Sequence, residues 1–480
     1  MKHFVLNIYL LFLLFGYGCS ANRSDISKEQ ELIPIIKTAL YDSTSVFFGD
    51  FGNYPGLHNA APAPIGIFDS GTGGLTVMDA ILTLDMFNNA TGEEGPDGIC
   101  DFAGESFIYL ADQANMPYGN YSSEDKTDFL RELIVKDALF LMDHKVKSIV
   151  VACNTATATG FDDIELLLEK SHTGISALGV IYAGVQGALD KLGKDESGAI
   201  GLMATVGTIK TEGYERAIIA MAKESGYTGN IQIVNQPAMG FAEAVDQEPD
   251  FVSHTATQTR PDYRGPAIDH PEYPIDPKLL NAYQFDFSDN GMLYVGNTGS
   301  YSRLQLNAPQ NYARYHLLSL IEKLRVLPNP QPLKILIMGC THYPYYKDTL
   351  SNMLQELRNY NDNGVFPYRD LIADEVALVD PAIFTAKELY QYLKSKNLLA
   401  HNPTTTTANF YITVPNIDLP NVCVESPQRF TYQYKYGRTP GTSLEYVKTV
   451  PFSSENIDQE TLNRFRLSIP ATFSLITNIE

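Results

Sequence analysis

Lys147-SIVVA-Cys153-Asn154-Thr155 and Lys334-ILIMG-Cys340-Thr341-His342 are two versions of one pattern. Each is a lysine, an apolar run, a small residue, a cysteine and then hydrogen-bonding side chains. A short apolar run with β-branched residues predicts a fully buried strand. In open α/β sheets, ligands bind beyond the carboxyl ends of such strands. Each stretch therefore sets a thiol at the tip of a parallel strand. One stretch alone reads equally well as a free cysteine in a core, because free Cys is among the most buried residue types. Two near-copies, both ending in polar groups, point instead to two cysteines facing each other across a cleft.

Working outward, the same scheme recurs. Pro64-IGIF-Asp69 predicts a strand, Ser70-Gly71-Thr72-Gly73-Gly74 a tight turn, and Leu75 to Leu84 a helix. The glycines allow close backbone approach, and the new helix N-terminus offers N–H groups to an anion. The lysine and spacing of a P-loop are missing, so a carboxylate suits this turn as well as a phosphate. Residues 87–104 form a polar, Gly-rich excursion without EF-hand spacing. Residues 107–111 predict a strand and 124–144 an amphipathic helix, ahead of the first cysteine strand. Strands alternating with helices imply a parallel sheet. The pattern restarts near Gly179, with a helix over 180–192, a strand over 198–204, a helix over 214–224 and a strand over 230–234. Residues 245–308, rich in Pro, Asp, Tyr and Asn, break the rhythm and read as an insertion. Its isolated His254 and His270 read as surface or structural residues rather than metal ligands. A helix over 312–324 leads into the second cysteine strand. Helices over 383–395 and 457–468 and a strand over 410–414 complete the reading.

The expected fold is α/β, with two pseudo-symmetric parallel-sheet domains and a site in the cleft between them. The expected boundaries are a leader over 1–19, a tether and extension over 20–63, a first domain over 64–176 and a second over 177–370. Residues 371–480 then return to the first domain and carry a C-terminal extension. The 480 residues bear a formal net charge of −21, with a pI near 4.8. That balance, without any run of Lys or Arg, excludes a phosphate-backbone binder. At the N-terminus, Met1-Lys2-His3 and the apolar stretch Phe4 to Phe15 have the form of a signal peptide, too short to span a bilayer. Gly16-Tyr17-Gly18-Cys19-Ser20 resembles a bacterial lipoprotein processing site, which implies lipidation of Cys19. The expected address is an exported lipoprotein, facing the periplasm or on the outer membrane, held to the membrane only by its lipid; the alternative is cytoplasmic. Four further cysteines in so long a chain form no disulfide framework. Cys100 and Cys423 read as either paired or free.

IGIFDSGTGGLTV (65–77), YLADQANMPYGNYS (109–122), VVACNTATA (150–158), GLMATVGTIKTEGYERA (201–217) and MGCTHYP (338–344) resemble, in order, the motifs of glutamate racemases. These belong to the cofactor-independent aspartate/glutamate racemase superfamily. The resemblance covers roughly residues 64–244 and 312–395. It implies interconversion of L- and D-glutamate without cofactor or metal. A thiolate on one face of the substrate Cα removes its proton, and a thiol on the other returns one. By this resemblance Cys153 and Cys340 are the acid/base pair, Asp69 assists Cys153 and His342 assists Cys340. Substrate contacts fall to Asp69, Ser70, Asn154, Thr155, Thr341 and His342, with Tyr118 and Gly119 closing on the side-chain carboxylate. The stretch Gln236-PAMGFA-Glu243 departs from the family's Pro-x-x-Val-Pro-x-x-Glu pattern, so Glu243 is left out of the site. A link to the D-glutamate of peptidoglycan follows from the resemblance, and a homodimer is compatible with it. The competing readings are a racemase for aspartate or another amino acid, a lipid-anchored amino-acid-binding protein, and an interaction protein working through 245–308.

Overall fold

Where the sequence alternates apolar runs with amphipathic ones, the chain alternates strands with helices. The computed structural model describes residues 31–54, 60–297, 299–400, 405–441 and 445–476. The expected leader and its Cys19 lie outside the described residues. After α1 (Pro34–Tyr41) come β1 (Ile65–Asp69), α2 (Leu75–Thr83), β2 (Ser106–Ala111), α3 (Gly119–Ser123), α4 (Thr127–Asp143), β3 (Ser148–Val151), α5 (Asn154–Ser171) and β4 (Ala177–Gly179). The second lobe follows with α6 (Val180–Lys191), β5 (Gly198–Ala204), α7 (Val206–Lys210), α8 (Gly213–Glu224), β6 (Ile231–Pro237) and α9 (Phe241–Val245). The 245–308 segment adds α10 (Leu280–Tyr283) and a hairpin, β7 (Met292–Asn297) and β8 (Ser300–Leu306). Then come α11 (Pro309–Arg325), β9 (Leu333–Gly339), α12 (Lys347–Arg358), β10 (Ile372–Val379), α13 (Pro381–Ser395) and β11 (Thr407–Pro415). The chain finishes with β12 (Val424–Ser426), β13 (Arg429–Phe430), α14 (Tyr432–Gly437), β14 (Val447–Pro451), α15 (Gln459–Ser468) and α16 (Pro470–Phe473).

The first sheet runs in the order β14-β11-β2-β1-β3-β4, parallel except for the antiparallel edge strand β14. The second runs β10-β9-β5-β6, all parallel. Strands β1, β3 and β5 are buried at every residue, because helices cover both faces of each sheet. The two sheets share one winding. In each, the first strand sits between the second and the third, and the fourth lies outside the third. The crevice between the first and third strands is a topological switch point, where open sheets of this class bind ligands. It falls between β1 and β3 in one lobe and between β5 and β9 in the other.

Sheet pairing moves both expected domain boundaries. β4 pairs with β3, Ile149 opposite Ala177, so the first sheet extends to Gly179 rather than ending at 176. β10 pairs with β9, Leu378 opposite Leu336, so the second sheet extends to Val379 and the return begins with α13. The crossings are symmetric. α6 leaves the first sheet to bury Val185 and Leu189 against the second, and α13 leaves the second to bury Ala386 and Leu389 against the first. The 245–308 segment belongs to the second lobe's core through Phe251, Ile275, Tyr283 and Met292. The C-terminal extension joins the first lobe's core through Leu462, Phe465 and Ile469. In the excursion at 87–104, Asp101 accepts the N–H groups of Met86 and Phe87 as a loop-closing carboxylate. His254 is exposed beside Glu460, and His270 caps a turn by accepting from the Glu272 and Tyr273 N–H groups. Among the described residues, no helix is long and apolar enough to cross a membrane.

Candidate active site

Register sets the first half of the site. Phe68 pairs with Val151, and the Ala152 N–H reaches Phe68 O at 2.9 Å. Two residues past that pairing, Ser70 and Cys153 stand level at the tips of β1 and β3. The Cys153 thiol donates to Ser70 Oγ at 3.6 Å and accepts from the Ala156 N–H at 3.4 Å, which makes the sulfur the N-cap of α5. A helix N-terminus favours negative charge in front of it. Asp69 is fully buried, and its Oδ2 accepts the N–H groups of Gly71 and Gly74 at 3.1 and 3.0 Å. Its Oδ1 has no hydrogen-bond partner. Burial pushes the Asp69 carboxyl up, and the charge of His342 pulls it back. Burial also pushes the Cys153 thiol up, and the charge of Asp69 adds to that, so Cys153 holds its proton.

The second half mirrors the first. Ala204 pairs with Gly339, so Thr205 and Cys340 stand level at the tips of β5 and β9. His342 Nδ1 lies 3.3 Å from Cys340 Sγ, and its Nε2 lies 2.7 Å from Asp246 Oδ2. Arg464 Nη2 donates to Asp246 Oδ1 at 2.9 Å. Burial opposes charge on the His342 ring, but Asp246 and Cys340 outweigh it and hold the imidazole well above its usual range. Burial likewise opposes charge on Asp246, but His342 and Arg464 outweigh it and keep that carboxyl below its usual range.

The lobes meet at hydroxyls and at bare backbone. Thr155 Oγ1 lies 2.9 Å from Thr205 Oγ1 and 3.1 Å from Thr208 Oγ1, and Tyr214 donates to Asn154 Oδ1. Thr76 Oγ1 donates to the Thr341 carbonyl at 3.1 Å. A Cβ on Gly207 would lie 3.1 Å from the backbone of Gly119, so the absence of a side chain lets the two segments pass this closely. Between the lobes lies a narrow cavity of about 30 Å³. Its wall holds Ser70, Tyr118, Gly119, Cys153, Asn154 and Thr155 from one lobe and Thr205, Glu243, Cys340, Thr341 and His342 from the other.

The structure thus gathers every catalytic and substrate-contact residue assigned from sequence around one cavity, with Asp69 behind it. Tyr118 sits there differently from expectation. Its hydroxyl lies 2.6 Å from both Asp112 Oδ2 and Asp137 Oδ2, so the ring rather than the hydroxyl faces the cavity. One phenol proton cannot serve two carboxylates at once, and burial together with the charge of Asp112 pushes the Asp137 carboxyl up. Glu243, left out by the sequence reading, is in the wall, and burial raises its carboxyl to about 7. Asp246, Thr205, Thr208 and Arg464 were not singled out at all. Asp246 follows the short helix α9 rather than a strand tip, and no motif marked it. Arg464 gave no signal, since 218 residues separate it from Asp246. Cys153, Cys340, Cys100 and Cys423 are all free, the last two exposed and unpaired. No cluster of His, Cys, Asp or Glu among the described residues is placed to hold a metal ion.

No family model matches the chain. Over 351 residues, 73% of its length, it is 25% identical to glutamate racemase of Levilactobacillus brevis, 86% of which is covered. Over 202 residues, 42% of its length, it is 33% identical to glutamate racemase of Chlorobium phaeobacteroides, 61% of which is covered. Among solved structures, glutamate racemase of Francisella tularensis matches at 22% identity and a TM-score of 0.43, over 75% of this chain and 90% of that one. The chain is thus similar in sequence to glutamate racemases over most of its length.

Proposed function

We propose that the chain is a cofactor-independent amino-acid racemase that interconverts L- and D-glutamate through Cys153 and Cys340. The observation that carries this reading is two free thiols, each at the tip of the third strand of its sheet and one from each lobe, in the wall of one cavity. Racemisation without a cofactor needs a base on one face of Cα and an acid on the other, in positions that hold as the roles exchange. Cys153, holding its proton, is the acid of the resting site. Cys340, beside an imidazolium, is the base. In one direction the Cys340 thiolate takes the Cα proton while the Cys153 thiol protonates the opposite face; the reverse reaction exchanges the roles. The free Oδ1 of Asp69 suits the substrate ammonium, and the N–H groups at the start of α5 with the Thr155 hydroxyl suit a carboxylate. If Cys19 carries lipid, the enzyme works outside the inner membrane, away from the compartment where peptidoglycan precursors are built. Membrane fractionation of a Cys19→Ala variant tests that address.

The chemistry is tested by exchange of the Cα proton in D₂O over a panel of amino acids, with glutamate and aspartate compared directly. Cys153→Ser and Cys340→Ser should each lower racemisation of glutamate by about 10²-fold or more. Unchanged exchange in Cys153→Ser would end this reading, and faster exchange on aspartate would reassign the substrate.

A further inference from the structure

Arg464 belongs to the C-terminal extension, which neither half of the repeated scheme contains. Its helix is anchored in the first lobe, where Leu462 and Phe465 are buried in the core. Just beyond it, the Thr472 N–H donates to Asp79 on α2 at 2.8 Å. The guanidinium nonetheless reaches across to the second lobe, donating to Asp246 Oδ1 and to the Val245 carbonyl. The other oxygen of Asp246 is held by His342, and His342 meets Cys340. Four side chains thus form one line, from the face of the first lobe to the strand-tip thiol of the second. Among the described residues, the other titratable groups facing that line are all acids: Asp69 from the first lobe, Glu243 and Glu248 beside Asp246, the phenols of Tyr109, Tyr345 and Tyr346, and those of Tyr214 and Tyr343 beside Cys340. Among the described residues, Arg464 is the only fixed cation that contacts Asp246.

We propose that Arg464 is a positioning residue for Cys340, fixing the Asp246 carboxylate so that His342 stays aimed at the sulfur and supplying the positive charge that offsets the surrounding acids. The inference rests on the racemase reading and assigns part of that reaction's control to the extension. Arg464 touches neither thiol. It acts through two intervening side chains, and only when the lobes are together.

The test uses the full chain and compares Arg464→Met with Arg464→Lys, which keeps the charge. Two quantities are read: the pH profile of Cα exchange on glutamate, and iodoacetamide labelling of Cys340 relative to Cys153 by peptide mass spectrometry. Arg464→Met should slow exchange about tenfold or more and move the acidic limb of the profile up by about one pH unit, the size expected for one lost charge nearby. It should also slow labelling of Cys340 relative to Cys153, and Arg464→Lys should recover most of both effects. An unchanged profile with unchanged labelling in Arg464→Met would overturn the proposal, as would a folded Arg464→Lys no better than Arg464→Met. If Arg464→Met does not fold, Arg464→Gln takes its place under the same criteria. A wild-type protein without exchange would fail the racemase reading instead, and the labelling ratio would still decide whether Arg464 controls the thiol.

Discussion

At the residue scale, Cys153 and Cys340 are the same side chain in unlike company. One caps a helix beside a serine and a buried carboxylate; the other faces an imidazole backed by an acid and an arginine. Asp246→Asn keeps the shape of that backing and removes its charge. It should lower kcat/KM by about 10²-fold, the scale of lost general acid–base assistance, with thermal stability measured alongside. Glu243 yields a prediction about folding. Burial raises its carboxyl from 4.5 to about 7, so the folded chain keeps this proton to higher pH than the unfolded chain does. The resulting stability is complete below pH 4.5 and is lost as pH rises to about 7. At about 1.4 kcal/mol for each pH unit, that loss comes to roughly 3 kcal/mol. Glu243→Gln abolishes the dependence, so urea unfolding at pH 5 and pH 8 should show the variant gaining on wild type as pH rises. A pH-independent difference would contradict it. Legibility at this scale follows sequence distance. Ser70, Asn154, Thr155, Thr341 and His342 adjoin the strand ends that reveal them. Asp246 lies 96 residues from His342, and their meeting is a product of the fold.

At the element scale, the turn between β1 and α2 brings the first lobe against the second. A Cβ on Gly73 would lie 2.6 Å from both Thr341 Oγ1 and His342 Cε1. Gly73→Ala should therefore push the lobes apart at the site. A displacement near 1 Å can cost about 10²-fold in rate, so the exchange rate should fall by at least tenfold. Gly52→Ala, with nothing within 4 Å, is the matched control and should leave it unchanged. The strands and their helices were readable because buried parallel strands are continuous apolar runs. β10 was not, since only two of its eight residues are buried and its sequence lacks that run. α12 follows the Tyr- and Pro-rich end of the cysteine motif, which masked its start. β4 has three residues, too few for any periodicity, and its absence from the reading misplaced the first boundary.

At the scale of the whole molecule, the C-terminal extension ties the lobes together. Arg429 pairs with Glu248 at 2.6 Å, and Arg264 of the 245–308 segment donates to Tyr432 at 2.8 Å. On the first-lobe side, Arg438 donates to Asn115 Oδ1 at 2.6 Å, and Lys435 donates to the Met116 carbonyl in the loop that carries Tyr118. The first two contacts are partly exposed and worth about 1 kcal/mol or less each. An Arg264→Gln/Arg429→Gln variant should lose little thermal stability, yet exchange amide hydrogens faster in residues 424–437. Equal exchange there would mean that Lys435 and Arg438 hold the extension unaided. None of this was visible in the sequence, where 417–450 reads as irregular, because its order comes from contacts with both lobes rather than from internal periodicity.

The unlike surroundings of the two thiols have one more consequence under the racemase reading. Mirror-image amino acids have equal free energies in water, so the reaction ends at an even mixture whatever the enzyme does. That fixes kcat/KM at one value for both hands, since their ratio is the equilibrium constant. The lopsided placement of Asp246 and Arg464 behind Cys340 can then show itself only as kcat and KM rising or falling together for one hand. It governs how full the site stands with each enantiomer, and leaves the final proportions untouched.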